Sequence, residues 1–141
     1  MSRAWATKPS LLAGERYELK VGRALASLFP PPACIYPQYP LGRGRLDYLI
    51  TRPDLPPILA ECKASLSLEA FAQLARYASQ VHAPCIRAII CQRAGGCRLP
   101  VAVELLPAFS TLALPALKPS VTYVLPWTGR FPVNLPQTTQ N

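Results

Sequence analysis

The stretch Gly42–Lys63, GRGRLDYLITRPDLPPILAECK, decides how this chain is read. Its apolar runs alternate with turn chemistry. Gly42-Arg43-Gly44-Arg45 reads as a turn, Leu46–Thr51 (LDYLIT) as a strand, Arg52–Pro57 (RPDLPP) as a second turn and Ile58–Lys63 (ILAECK) as another strand. Alternate residues of a strand share a face, so Glu61 and Lys63 point one way and Cys62 the other. If the two strands pair through the intervening turn, Asp47 comes to lie beside Glu61. Two carboxylates and an ammonium then converge at one end of a hairpin.

That set suits phosphodiester hydrolysis. Two carboxylates, completed by the scissile phosphate, can hold a magnesium ion. The metal would polarise the phosphate and activate a water, and the lysine would orient that water or neutralise developing charge. A literal Pro-Asp also occurs at Pro53-Asp54. Only six residues separate Asp54 from Glu61, too few for strand, turn and strand. Pro-Asp before Leu-Pro-Pro reads better as turn chemistry, so Asp47 is the preferred aspartate.

Upstream, residues 11–29 follow a helical pattern, with Leu12, Tyr17, Val21, Ala24, Leu25 and Leu28 in one stripe and Pro30-Pro31-Pro32 as the stop. Residues 33–41 read as an irregular edge strand, because Pro37 and Pro40 cannot donate to a ladder. With the two strands of the hairpin this makes an antiparallel meander. Downstream, SLEAFAQLARYASQ from Ser67 is a helix with a serine N-cap, Glu69 in its first turn, and Phe71, Leu74, Ala75 and Ala78 as its buried face. Residues 85–91 (CIRAIIC) form a continuous apolar strand of the kind found in buried parallel positions. Residues 101–106 and 121–125 are short strands, and 108–117 are ambiguous. The order is α-β-β-β-α-β, with a β-rich extension.

The chain has 141 residues, the size of one domain, and half of them are apolar. Fifteen basic residues against seven acidic give a net charge of +8, which favours a polyanionic partner. Arg43 and Arg45 alternate with glycines just before Asp47, so they and Lys20 and Arg76 are candidate phosphate contacts. Five cysteines at irregular spacing (Cys34, Cys62, Cys85, Cys91, Cys97) read as free thiols rather than a disulfide framework or a zinc site. His82 is the sole histidine, which excludes histidine-rich metal sites and catalytic triads. It reads as a helix-end residue, and Trp5 and Trp127 as packing residues. There is no dinucleotide or P-loop fingerprint, so no organic cofactor is expected. Residues 1–10 lack the apolar core of a secretory signal, and the apolar run at 101–117 is too broken to span a bilayer. The expectation is an intracellular protein of the cytoplasm or nucleoid, with no membrane partner.

Glu18 lies four residues after Gly14 on the first helix, and Gln73 and Tyr77 stand one turn apart on the second. With Asp47 and Glu61-Cys-Lys63, these residues resemble the PD-(D/E)xK nuclease superfamily. Gln73-Leu-Ala-Arg-Tyr77 is similar to the QxxxY motif of its RecB-type branch. The resemblance covers roughly residues 11–92. It implies a restriction-endonuclease-like α/β fold with a mixed central sheet: a basic flexible arm at 1–10, a nuclease core at 11–92, a β-rich extension of the same domain at 93–135 and a mobile tail at 136–141. It implies Glu18, Asp47 and Glu61 as catalytic metal ligands for magnesium or manganese, Lys63 as the catalytic lysine, and Gln73 and Tyr77 as site support. Glu15 competes with Glu18, whose spacing from Gly14 fits the family better. The implied activity is metal-dependent endonucleolytic cleavage of DNA by a homodimer, in recombination or repair, as in Holliday-junction resolvases. The alternatives are a sequence-specific restriction or homing endonuclease, a catalytically inactive nucleic-acid-binding or assembly module, and an RNA-directed nuclease.

Overall fold

The hairpin at the centre of the sequence forms, and the sheet grows from both of its strands. The computed structural model describes residues 9–95, 98–100 and 102–131. In chain order the elements are α1 (Pro9–Leu28), β1 (Cys34–Leu41), β2 (Gly44–Arg52), β3 (Leu55–Ser65), α2 (Leu68–Ser79), β4 (Ile86–Arg93), β5 (Val103–Leu105), a 3-10 helix (Phe109–Ala113) and β6 (Thr122–Pro126). One six-stranded sheet runs in the order β1-β2-β3-β4-β6-β5. β1, β2 and β3 are antiparallel neighbours, and β3, β4, β6 and β5 pair in parallel. This is an α/β fold with a mixed sheet flanked by helices. Its C-terminal strands complete the sheet, with β6 between β4 and β5.

Each face of the sheet carries its own core. Tyr17, Val21, Ala24, Leu25 and Leu28 of α1 pack on Tyr48, Ile50, Ile58, Ala60, Ile86, Ala88 and Ile90. On the other face, Ala70, Leu74 and Tyr77 of α2 pack on Leu46, Leu59, Ile89, Cys91 and Val124. β4 lies between β3 and β6 and is buried on both faces, which explains its unbroken apolar sequence. Trp127 is a packing residue: it lies against Tyr17, Phe109 and Phe131, and its carbonyl accepts the Tyr17 hydroxyl at 2.7 Å.

Several boundaries differ from those expected. β2 begins at Gly44 rather than Leu46, because Gly44 and Arg45 pair with Leu41 and Pro40. The first turn is therefore Gly42-Arg43 alone, with Gly42 in the left-handed region at φ 60°. The second turn shrinks to Pro53-Asp54, with Asp54 at φ 60°, a geometry that proline and aspartate favour at the two centre positions. Pro56 and Pro57 fall inside β3. They are tolerated because a register shift between Ile50 and Arg52 leaves both outside the paired positions. α2 buries Ala70, Leu74 and Tyr77, with Phe71 and Ala78 partly buried, and leaves Ala75 exposed. The ambiguous stretch at 108–117 contains the 3-10 helix, and the strand expected at 101–106 is only three residues long. Of the expected basic arm, Pro9 and Ser10 begin α1. Met1–Lys8, including Trp5, lie outside the described residues, as do Cys97 and the expected mobile tail at 136–141.

The α1 face is the larger core, and Leu25 is fully buried in it. Leu25→Ala should lower the unfolding free energy by about 3 kcal/mol, read from urea unfolding. A loss below about 1 kcal/mol would show that α1 is not packed on the sheet as described.

Candidate active site

The site begins where β2 and β3 part. Their ladder pairs Ile50 with Ile58, Leu49 with Leu59 and Tyr48 with Ala60, and stops there. Beyond that point β2 continues beside β1 and β3 beside β4. Backbone groups at the parting still need partners, and carboxylates supply them. The Asp47 amide donates to Glu61 Oε2 at 2.9 Å, and the Cys62 amide donates to Asp47 Oδ2 at 2.8 Å. Asp47 and Glu61 are thus held side by side by the backbone of each other's strand.

Burial makes this pairing electrostatically costly. Glu61 is only 2% exposed. Its carboxyl is pushed up to about 7, first by burial and then by the neighbouring Asp47 charge. Asp47 is also raised above the ordinary aspartate range, chiefly by burial, although the Cys62 amide and Lys63 oppose the shift. Lys63 Nζ lies 4.0 Å from Glu61 Oε1, too far to offset both effects. Cys62 points to the opposite face, where burial and then the surrounding carboxylates hold its thiol protonated.

Lys63 is oriented from α2. Its ammonium donates to Gln73 Oε1 at 3.1 Å, Gln73 Nε2 donates to the Tyr77 hydroxyl at 3.2 Å, and that hydroxyl donates to the Arg45 carbonyl at 2.9 Å. The line of bonds runs from β3 through α2 to β2. It requires a glycine at position 44, since a side chain there would meet the Tyr77 hydroxyl at 2.7 Å.

Glu18 approaches from the α1 side. Its carbonyl accepts the Tyr48 hydroxyl at 2.8 Å, and its carboxylate accepts a bond from the Gln38 side-chain amide. Gln38 also stands opposite Asp47 on the neighbouring strand, between the Pro37–Tyr48 and Tyr39–Leu46 pairs, and opposes the upward shift of that carboxyl. Sequence patterns did not mark Gln38. Its partner Glu18 is 20 residues away, and the only local signal was its place between Pro37 and Pro40.

Asp54 sits at the opposite end of the hairpin, in its turn. A cleft of about 640 Å³ opens beside the site, lined by Arg43, Gly44, Gln73, Arg76, Tyr77 and Gln80 among others. Arg45 and Lys20 are exposed but do not line it, and Lys20 runs beside Gly129. His82 is exposed beyond the end of α2. The side chain of Glu15 lies outside the described ones. Cys34, Cys62, Cys85 and Cys91 are free thiols.

Among the described residues, no three His, Cys, Asp or Glu side chains form a group that could hold a metal ion. The Asp47–Glu61 pair supplies one half-buried and one buried carboxylate with too little positive charge around them. That fits a magnesium-type ion, which keeps several waters and takes one or two protein carboxylates with phosphate oxygens.

An 83-residue stretch of the chain is 34% identical to a sugar fermentation stimulation protein homolog of Symbiobacterium thermophilum. The match covers 59% of this chain and 33% of that protein, so the chain spans about a third of its relative's length. No family model matches the chain, and no solved structure matches it.

The Glu61 shift has a defined pH signature in metal-free protein. Between about pH 4.5 and about pH 7 the folded chain keeps a proton that the unfolded chain has lost. Stability therefore falls as pH rises through this window. Glu61→Gln removes the charge and keeps an acceptor for the Asp47 amide. In EDTA at pH 8 it should be more stable than wild type by on the order of 3 kcal/mol, with the gain gone by pH 4.5. Thermal unfolding across pH measures this, and equal or lower stability at pH 8 would contradict it.

Proposed function

We propose that this chain is a metal-dependent nuclease of the PD-(D/E)xK kind, with a restriction-endonuclease-like core, acting on DNA. The observation that carries the proposal is the fork between β2 and β3, where the half-buried Asp47 and the buried Glu61 lie side by side and Lys63 is held beside them by Gln73 and Tyr77. Buried acids serving only as structure are more often paired with a cation than with each other.

Asp47 and Glu61 would hold magnesium or manganese, with Glu18 approaching from α1. Bound there, the metal would polarise the scissile phosphate and lower the pKa of a water. Lys63 has its ammonium fixed by Gln73 and is exposed enough (32%) to meet a phosphate or orient the attacking water. Tyr77 anchors Gln73 by donating its own proton to the Arg45 carbonyl, so the amide has one preferred orientation. Arg43 and Arg76 line the cleft next to this network and would contact the phosphate backbone without reading sequence. Lys20 and Arg45 would extend the basic surface, and the net charge of +8 favours the same partner. Among the described residues no helix is long and apolar enough to cross a membrane. A substrate structure of the recombination or repair type, such as a four-way junction, and action as a homodimer belong to the same proposal.

The test is cleavage of labelled four-way junctions, plain duplexes and single strands with magnesium or manganese. Wild type should cleave at least one of them. Asp47→Asn and Lys63→Ala should each slow cleavage about a hundred-fold or more while unfolding cooperatively. Equal rates in all three proteins, or no cleavage with either metal, would overturn the proposal.

A further inference from the structure

The cleft of about 640 Å³ lies between the β1–β2 turn and one face of α2. Gly42 and Arg43 of the turn form one wall, and Arg76 and Gln80 form the other. Gly42, at φ 60°, lies against the Gln80 side chain, where an added Cβ would come within 3.4 Å of it. The walls therefore meet at that end. Gln73 lines the cleft about 10 Å further along the helix axis, and its side chain holds the Lys63 ammonium at 3.1 Å. The cleft thus leads to Lys63. That length matches roughly two or three nucleotides of one strand. A cavity of this volume holds one drug-sized molecule. A duplex, whose grooves alone are about 6 and 12 Å wide, is too broad to enter.

We propose that this cleft is the seat for one unpaired DNA strand: Arg43 and Arg76 grip the phosphate next to the one under attack, so that cleavage is favoured where a strand leaves a duplex. The inference deepens the function proposed above and rests on its DNA substrate. Both arginines are exposed, and among the described residues neither makes an ion pair and no acid lines the cleft. Their forked donors match phosphate oxygens, one from each wall. The contact is to backbone rather than bases. Tyr77 is the one aromatic residue among the described lining residues, and it is buried with its hydroxyl committed to the Arg45 carbonyl. It offers no face on which a base could stack.

Fluorescence anisotropy on the full chain in EDTA tests this, with a labelled strand that cannot pair with itself and the blunt duplex made with its complement. Wild type should bind the single strand more tightly. Arg43→Ala, Arg76→Ala and Gln80→Glu each lower the net charge by one at the cleft. Each should weaken single-strand binding about ten-fold and duplex binding much less. Each arginine variant should also reduce the salt dependence of single-strand binding by a log–log slope of about 0.7. Lys118→Ala removes the same charge from an exposed loop before β6 and should change either affinity less than about two-fold. Equal or tighter duplex binding by wild type, or equal losses from Lys118→Ala and the cleft variants, would overturn the seat and leave the nuclease proposal standing. No binding of either DNA would overturn the DNA substrate together with the seat.

Discussion

The divergence of β2 from β3 after the Tyr48–Ala60 pair governs the site. An antiparallel pair normally satisfies its own amides and carbonyls. Here the strands separate while their backbone is still partly buried, and each turns to a carboxylate on the other. The amide of Asp47 needs Glu61, and the amide of Cys62 needs Asp47. Neither acid can be removed without leaving a backbone donor short of a partner. The same bonds force two negative charges into a region with little water. The fold thus contains a local shortage of positive charge, and one ammonium 4.0 Å away does not fill it.

The second consequence concerns α2. Because β2 leaves β3, something must bridge the gap, and the helix does so with two side chains one turn apart. Gln73 takes the ammonium on β3, and Tyr77 takes the Arg45 carbonyl on β2. Tyr77 is also buried in the core beneath the helix, so the polar line is fixed by apolar packing. Gly44 permits the close approach. On the opposite side of the fork Gln38, at a strained backbone position on β1, bonds the Glu18 carboxylate of α1.

Much of this was legible locally. The hairpin showed in the alternation of apolar runs and turn residues, and the period of two put Glu61 and Lys63 on one face. The helical period put Gln73 beside Tyr77, and Pro37 and Pro40 marked an edge strand. What was not legible depended on distant partners. The strands run longer than their apolar runs because β1 pairs with Gly44 and Arg45, and because a register shift accommodates Pro56 and Pro57. Tyr77 replaces Ala75 on the buried face of α2 because the sheet beneath that turn offers an apolar seat and a carbonyl. The insertion of β6 between β4 and β5 is a choice of sheet order that short apolar segments do not encode. Gln38 was invisible because its contact comes from a backbone angle and from an acid remote in sequence.

The central claim is that Asp47 and Glu61 form a cation site at the fork. Crystals equilibrated with manganese at pH 8, above the Glu61 value of about 7, would test it through the anomalous signal of the metal. A peak within about 2.3 Å of a carboxylate oxygen from each residue is the predicted result. A map with no peak at these two carboxylates under saturating manganese would contradict it.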